Sequence, residues 1–302
     1  MNILIDINHP AHVHVFKNFS YLRQEAGDNV LFTTREKECT VPLLVEYKMD
    51  YRVLGFHEKG ILNKLKGLAI FDYKLFRIAS HFKPDLFLSL GSVYASQIAF
   101  LMRKVSIVLD DTEHSGREHL LYRPFASAIL NPSCFLKNLG RKQILYRSYH
   151  ELAYLHPKYY KFNNDIFKIL GLENNERFVI LRFVSWEASH DRGQKGLTTQ
   201  IKIKLARELS RFLKVFITSE SNLPGELEQY RLRARPGLIH DVLAAATLFI
   251  GEGATMASEC AMLGTPAIYV NTLDSGVLEE QEKYGLIISF RKPEGVLEKS
   301  LE

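Results

Sequence analysis

Cysteine is scarce: Cys39, Cys134 and Cys260 are the only three in 302 residues, scattered and odd in number. That rules against a disulfide framework or a thiolate-zinc spacing and predicts reduced core thiols. No run approaches the ~20 apolar residues a bilayer crossing needs. The opening Met1-Asn-Ile-Leu-Ile-Asp-Ile7 has an acid within its apolar stretch and no basic leader. It reads as a first strand and not as a signal peptide, so a cytoplasmic protein is expected. A dominant charge is also missing. The net charge is +5, from 39 Lys and Arg against 34 Asp and Glu, and the densest basic stretches, Lys137 to Arg147 and Arg231 to Arg235, are interrupted. No nucleic-acid-binding module is recognisable, and nucleic acid is not expected as a partner. The mild excess suits a solvated surface, an anionic ligand, or a loose association peripheral to a membrane.

Apolar residues make up 46% and charged residues 24% of the chain, the balance of an ordinary globular protein. The length allows two domains. In the first half, short β-rich runs alternate with helical patterns. Strands are predicted over Asn2–Ile7, Val30–Thr34, Tyr51–Leu54, Leu86–Leu90 and Val105–Asp110, and helices over Val13–Ala26, after Thr40 and over Leu62–Phe82. From Tyr149 to Asn164 the rhythm breaks, and Pro157 forbids a continuous helix. It then restarts with strands Phe178–Val184, Val215–Ser219, Leu248–Gly251 and Ala267–Asn271, and with helices Leu197–Phe212, Leu238–Ala246 and one ending at Leu263. Such alternation predicts parallel sheets covered on both faces. The expectation is an α/β chain of two Rossmann-like domains, residues 1–155 and 156–302, facing across a cleft lined by strand-end loops.

Ligands of open α/β sheets bind beyond the carboxyl ends of the strands, and four such places stand out. The first, Asp6-Ile-Asn-His9-Pro-Ala-His12-Val-His14, lacks the glycine-rich turn that a dinucleotide needs, which argues against an NAD-dependent dehydrogenase. It offers His9 and His12 as acid or base; either could instead cap or pack, and Asp6, His9 and His12 could hold a metal only in a spacing of no recognised kind. The second is Gly91-Ser92, a turn that could admit an anion or a sugar. The third, Asp110-Asp111-Thr-Glu113-His114, crowds three acids and a histidine, which raises carboxylate pKa values and suits proton transfer; an exposed polar loop is the alternative. The fourth runs from Gly251 through Gly253, Ala254 and Thr255 to Glu259 and Gly264-Thr-Pro266. Its small-residue turn presents amides at a helix N-terminus, an anion site, and Glu259 follows one and a half turns later, where a carboxylate can accept from a vicinal diol.

This fourth motif resembles the GT-B superfamily of nucleotide-sugar enzymes, which includes glycosyltransferases and UDP-N-acetylglucosamine 2-epimerase. More closely, the chain is similar to an uncharacterised archaeal and bacterial family placed beside those epimerases. The resemblance rests on Asp6 to His14, Asp110 to His114, Glu151-Leu-Ala-Tyr-Leu-His-Pro157, Arg182-Phe-Val-Ser-Trp186, Ser189-His-Asp191 and Gly251 to Glu259. It implies that Glu259 binds a ribose, that Gly253, Ala254 and Thr255 hold a diphosphate, and that His190 and Asp110 or Asp111 match functional positions of the epimerases. GT-B chains usually continue with a helix that crosses back to the first domain, and with the sequence ending at Glu302 either the protein is short or that helix is missing. Two departures stand against literal epimerisation: Ser92 occupies the place of an epimerase acid, and histidines replace the N-terminal arginine loop.

The resulting expectation is a GT-B-type glycosyltransferase whose substrate is a nucleotide sugar, UDP-linked, with a glycan or lipid-linked acceptor and no separate cofactor or metal. His9, His12, Asp110, Asp111, Glu113, His114 and His190 are the catalytic candidates. Ser92, Gly251, Gly253, Ala254, Thr255 and Glu259 are the nucleotide-sugar candidates. A UDP-N-acetylglucosamine 2-epimerase and a non-catalytic sugar-nucleotide or glycan-binding protein are the alternatives. A homo-oligomer is compatible with the sequence.

Overall fold

The computed structural model describes residues 1–55, 61–184, 196–273 and 275–302, apart from the side chains of 61–66 and 68. Two compact units divide the chain, Met1–Tyr154 and Leu155–Glu302.

Unit 1 carries β1 (Asn2–Ile7), α1 (Pro10–Glu25), β2 (Asn29–Arg35), α2 (Thr40–Glu46), β3 (Tyr51–Gly55), α3 (Ile61–Phe82), β4 (Leu86–Leu90), α4 (Val93–Leu101), β5 (Val105–Leu109), α5 (Gly116–Tyr122), β6 (Ala128–Pro132) and β7 (Gln143–Tyr146). The one-turn helix α6 (Leu152–Leu155) spans the division. The seven strands are all parallel, in the order β3-β2-β1-β4-β5-β6-β7. The chain direction across the sheet reverses between β1 and β4, where Asp6 pairs in register with Ser89. That reversal is the point at which α/β sheets open a crevice for ligands.

Unit 2 carries α7 (Ile166–Ile169), β8 (Phe178–Phe183), α8 (Thr199–Leu209), β9 (Lys214–Ser219), α9 (Ile239–Ala245), β10 (Leu248–Gly251), α10 (Ala254–Leu263), β11 (Ala267–Val270), α11 (Gly276–Lys283), β12 (Ile287–Phe290) and α12 (Val296–Leu301). Its five parallel strands run β12-β11-β10-β8-β9, so the reversal lies between β8 and β10. Strand alternation explains why β8 reads as a continuous apolar run. Phe178 and Ile180 pack into one layer with Phe249 and Ala257, while Val179, Leu181 and Phe183 pack into the other with Leu205 and Ile217.

Some element ends differ from the sequence pattern for local reasons. Helix α1 starts at Pro10, ahead of Val13, because proline suits a first helical position and His9 caps it. Helix α8 starts after Thr198, whose side chain accepts from Ile201 N. Strands β6, β7 and β12 are not marked by the pattern. Strand β7 spans four residues at the sheet edge and exposes Ile144 and Leu145, so no buried face advertises it. The aromatic segment around residues 149–164 is tied at both ends: Asn18 Nδ2 donates to Ala153 O at 2.9 Å, and Tyr160 Oη and Asn163 N donate to Asp241 Oδ1 at 3.0 Å each.

Candidate functional site

In unit 1 the end of β1 supplies Asp6, fully buried at the switch point. Its Oδ1 accepts from Thr33 Oγ1 at 2.8 Å, and its Oδ2 accepts from Ser92 Oγ at 2.5 Å and from Arg35 Nη2 at 3.4 Å. Arg35 closes β2, lies under the Tyr94 ring at 4.7 Å, and reaches Ile7 O at 3.4 Å. The carboxyl of Asp72 is pushed up to about 6, first by burial and then by the charge of Asp6.

Beside this network, His12 sits in the first turn of α1 with its Nδ1 buried and, among the described residues, unpartnered. Burial depresses its pKa to about 3; Asp111 pulls upward, and Arg35, His150 and Lys37 push down. His12 is therefore a neutral imidazole at pH 7. Asp111 Oδ2 meets His150 Nδ1 at 2.9 Å. Burial opposes charge on both partners. Their attraction and hydrogen bond outweigh it, so His150 is raised above the usual histidine value and Asp111 is held below the usual carboxylate value. The Tyr146 ring lies 6.0 Å from His150, and its hydroxyl is pushed up by burial and then by Asp111. A neutral histidine thus neighbours an Asp–His pair that favours the protonated imidazole, an arrangement able to accept and donate protons at one pH.

The remaining candidates of unit 1 take other places. His9 caps α1, its Nδ1 accepting from Ala11 N at 3.2 Å. Asp110 is buried, accepting from Thr112 N at 2.8 Å and Tyr122 Oη at 2.5 Å and meeting His119 Nε2 at 3.1 Å. Glu113 is buried and accepts from Leu136 N at 3.3 Å, and His114 is half-buried. Ser92 caps α4 by accepting from Ala95 N at 3.2 Å while donating to Asp6. Crowding alone would raise a carboxylate in this loop. Asp111 instead goes down, because a histidine 39 positions away faces it. Sequence reasoning missed His150, Tyr146 and Arg35. Two of these fall in or beside the segment from Tyr149 to Asn164 where the strand–helix rhythm breaks, and for Arg35 the available signal was a charged residue closing a strand next to β1.

In unit 2 the switch point is built differently. A Cβ on Gly251 would lie 2.5 Å from Phe249 Cζ and 2.9 Å from Arg182 Cβ, so only glycine fits the end of β10. Glu252, fully buried, accepts from Val184 N at 3.1 Å and Leu197 N at 2.6 Å and meets Lys202 Nζ at 3.0 Å. The N-cap of α10 is Gly253, which has no side chain to cap it, and among the described residues no other side chain takes that place. Its first amides, from Ala254 and Thr255 onward, have no carbonyl within the helix to receive them. Glu259, on the same helix and buried, accepts from His240 Nε2 at 3.1 Å. His190 and Trp186 lie outside the described residues. Among the described residues, no three His, Cys, Asp or Glu side chains are grouped to hold a metal ion, and no helix is long and apolar enough to cross a membrane.

A sequence family described as "Protein of unknown function (DUF354)" matches residues 1–277. The chain belongs to this family. The uncharacterised protein MJ0665 of Methanocaldococcus jannaschii is 25% identical over 277 residues, covering 89% of this chain and 81% of that one. Among solved structures, the UDP-GlcNAc 2-epimerase of Neisseria meningitidis, bound to UDP-GlcNAc, is similar with a TM-score of 0.67 and 13% identity over 100% of this chain and 90% of its own. A glycosyltransferase of Streptomyces sp. SF2575 is similar with a TM-score of 0.57 and 14% identity over 96% of this chain and 87% of its own. At these identities the likeness shows the fold. This member of the family is an α/β protein of two Rossmann-like parallel-sheet domains of the GT-B kind.

Proposed function

We propose that the chain is a nucleotide-sugar-dependent enzyme, a GT-B-type glycosyltransferase acting on a glycan or lipid-linked acceptor. The observation that carries this reading is the N-terminus of α10 at the switch point of unit 2, which begins at a glycine, with Glu259 buried further along the same helix. The amides and the helix dipole there favour a diphosphate. The Glu259 carboxylate, oriented by His240, would accept from ribose hydroxyls. Solved relatives of this fold support the substrate class, since the epimerase of Neisseria is bound to UDP-GlcNAc. In unit 1, neutral His12 would orient an acceptor hydroxyl by accepting its hydrogen bond, Asp111 of the His150 pair would take the proton as the sugar is transferred, and the N-terminus of α10 would stabilise the departing diphosphate.

Epimerisation at C2 is the second reading, and one contact favours it. Ser92 donates to Asp6 at 2.5 Å, which puts a carboxylate beside the end of β4. Asp6, however, also receives Thr33 and Arg35 and is wholly buried, which suits it to holding the site more than to removing a proton. Titration calorimetry with UDP and UDP-sugars tests the nucleotide reading. Binding is expected, and Glu259→Ala should weaken it by roughly 1.5–3 kcal/mol. An absence of binding by any nucleotide or nucleotide sugar would remove the proposal. Incubation with UDP-N-acetylglucosamine in deuterated water separates the two reactions: deuterium at C2 without an acceptor would favour the epimerase.

A further inference from the structure

Three donor side chains of unit 1 are buried without a full set of acceptors, and they cluster. Arg35 is 1% exposed; among the described residues its Nε and Nη1 have no partner, and its Nη2 makes the two 3.4 Å contacts to Asp6 and Ile7 O. Among the described residues, His150, 4% exposed, has no partner for Nε2, and His12, 9% exposed, has none for Nδ1. Arg35 and His150 both lie near enough for their charges to act on His12, and Lys37 adds to them. Neither Asp6 nor Asp111 absorbs these donors. Asp6 takes Thr33 on one oxygen and Ser92 on the other, and Asp111 engages His150 through the opposite ring nitrogen.

Leaving a guanidinium edge and an imidazole nitrogen buried without acceptors is costly, and it persists in folded proteins where a ligand or water supplies the missing oxygens. The complement of such a set is a group with several acceptor oxygens and a negative charge. Arginine is suited to it because its planar fork matches phosphate and carboxylate geometry. The Tyr94 ring, 4.7 Å from the guanidinium carbon, supports that plane. The location agrees: Arg35 closes β2 and Asp6 closes in on the reversal between β1 and β4, where ligands of such sheets bind.

We propose that unit 1 holds an oxyanion site of its own, in which Arg35 and His150 bind a phosphate or carboxylate group of a substrate beside His12. This goes beyond the nucleotide-sugar reading and does not depend on it, since the diphosphate site is assigned to unit 2. Its consequence is that a reacting partner carries an acidic group, either a phosphate ester or a uronic-type carboxylate, that places a hydroxyl against His12.

The test uses the full chain with isotope-labelled histidine and follows the His12 and His150 ring signals by NMR during separate titrations with inorganic phosphate, glucuronate and neutral glucose. A saturable shift with phosphate alone assigns a phosphate ester, one with glucuronate alone assigns a carboxylate, and one with both assigns a general oxyanion site. Arg35→Lys, which keeps the charge and loses the fork, should weaken the response about tenfold or more. An Asp6→Asn/Arg35→Gln double variant, which removes the buried pair together, should abolish it. His150→Gln gives a second route, read on His12 alone. No shift with either anion, an equal shift with glucose, or an undiminished response in folded Arg35 and His150 variants would overturn the proposal. Glu259→Ala should leave the response intact while weakening UDP, so a failure of the nucleotide reading is seen separately.

Discussion

The two units solve the same topological problem with opposite materials. At the switch point of unit 1 the strand ends converge on charged and titratable side chains: Asp6, Arg35, His12, Asp111 and His150. At the switch point of unit 2, Gly251 and Gly253 keep the chain ends small, α10 begins at a glycine, and Glu252 and Glu259 are turned to internal partners. The first arrangement can change its protonation state. The second offers fixed dipoles. Titratable side chains and fixed dipoles are thereby set at the ends of different sheets of one chain.

The largest effects should come from breaking the buried ionic network of each unit. Asp6→Ala strips the partner of buried Arg35, and Glu252→Ala frees Lys202 and two backbone amides. Each is expected to cost roughly 3–5 kcal/mol in urea unfolding, the usual consequence of orphaning a buried charge. A loss below about 1 kcal/mol at either site would show that its network does not hold its unit together.

The next effect depends on pH and distinguishes the histidines of unit 1 from each other. His12 is near 3 when folded against 6.5 for its ordinary value. Between those values the unfolded chain binds a proton that the folded chain refuses, so stability falls as pH falls, by up to about 1.4 kcal/mol per unit. His12→Gln should flatten that acid limb. His150 has the opposite sign: its raised pKa contributes stability that is fully present below 6.5 and lost as pH rises through the folded value. His150→Gln should therefore lose most at low pH and converge on the parent as pH rises. Thermal melts from pH 5 to 9 would read both, and parallel curves for the two variants would undo the distinction.

Smaller still is the contrast between two glycines of unit 2. Gly251→Ala drives a methyl into Phe249 and Arg182 and should cost about 1–3 kcal/mol. Gly253→Ala meets its nearest atoms at 3.7 Å and should change stability by less than about 1 kcal/mol while narrowing the approach to α10. The smallest effect belongs to His9→Ala, which removes one capping acceptor and should cost about 0.5–1 kcal/mol in chemical denaturation. A larger loss would mean that His9 has a duty beyond the cap.

Much of the fold could be read without a structure because its parallel strands are buried on both faces. Phe178 to Phe183 and Leu86 to Leu90 stand out as apolar runs wherever they occur. The four-residue edge strand β7 does not, since half of what identifies a buried strand is absent from it. The turn at Gly251 to Thr255 was legible because its run of small residues stands at a strand end; at Gly251 it is the close approach of Phe249, two positions away, and of Arg182 on the neighbouring strand that requires a glycine. The candidate chemistry of unit 1 was only half legible. His12 and Asp111 announce themselves as polar residues at strand ends, but nothing in their spacing tells that Asp111 pairs with His150 and Asp110 with Tyr122.

The sequence by itself determined the α/β class, the parallel alternation and the places where strands end, because hydrophobic periodicity and turn residues act over a few positions. Tertiary structure decided the charge states and partnerships. Ser92 reaches Asp6 across 86 positions, His150 reaches Asp111 across 39, and Glu252 gathers Val184 and Leu197 from 68 and 55 positions away. Sheet order brings these groups together, and burial then sets which of them carries a proton.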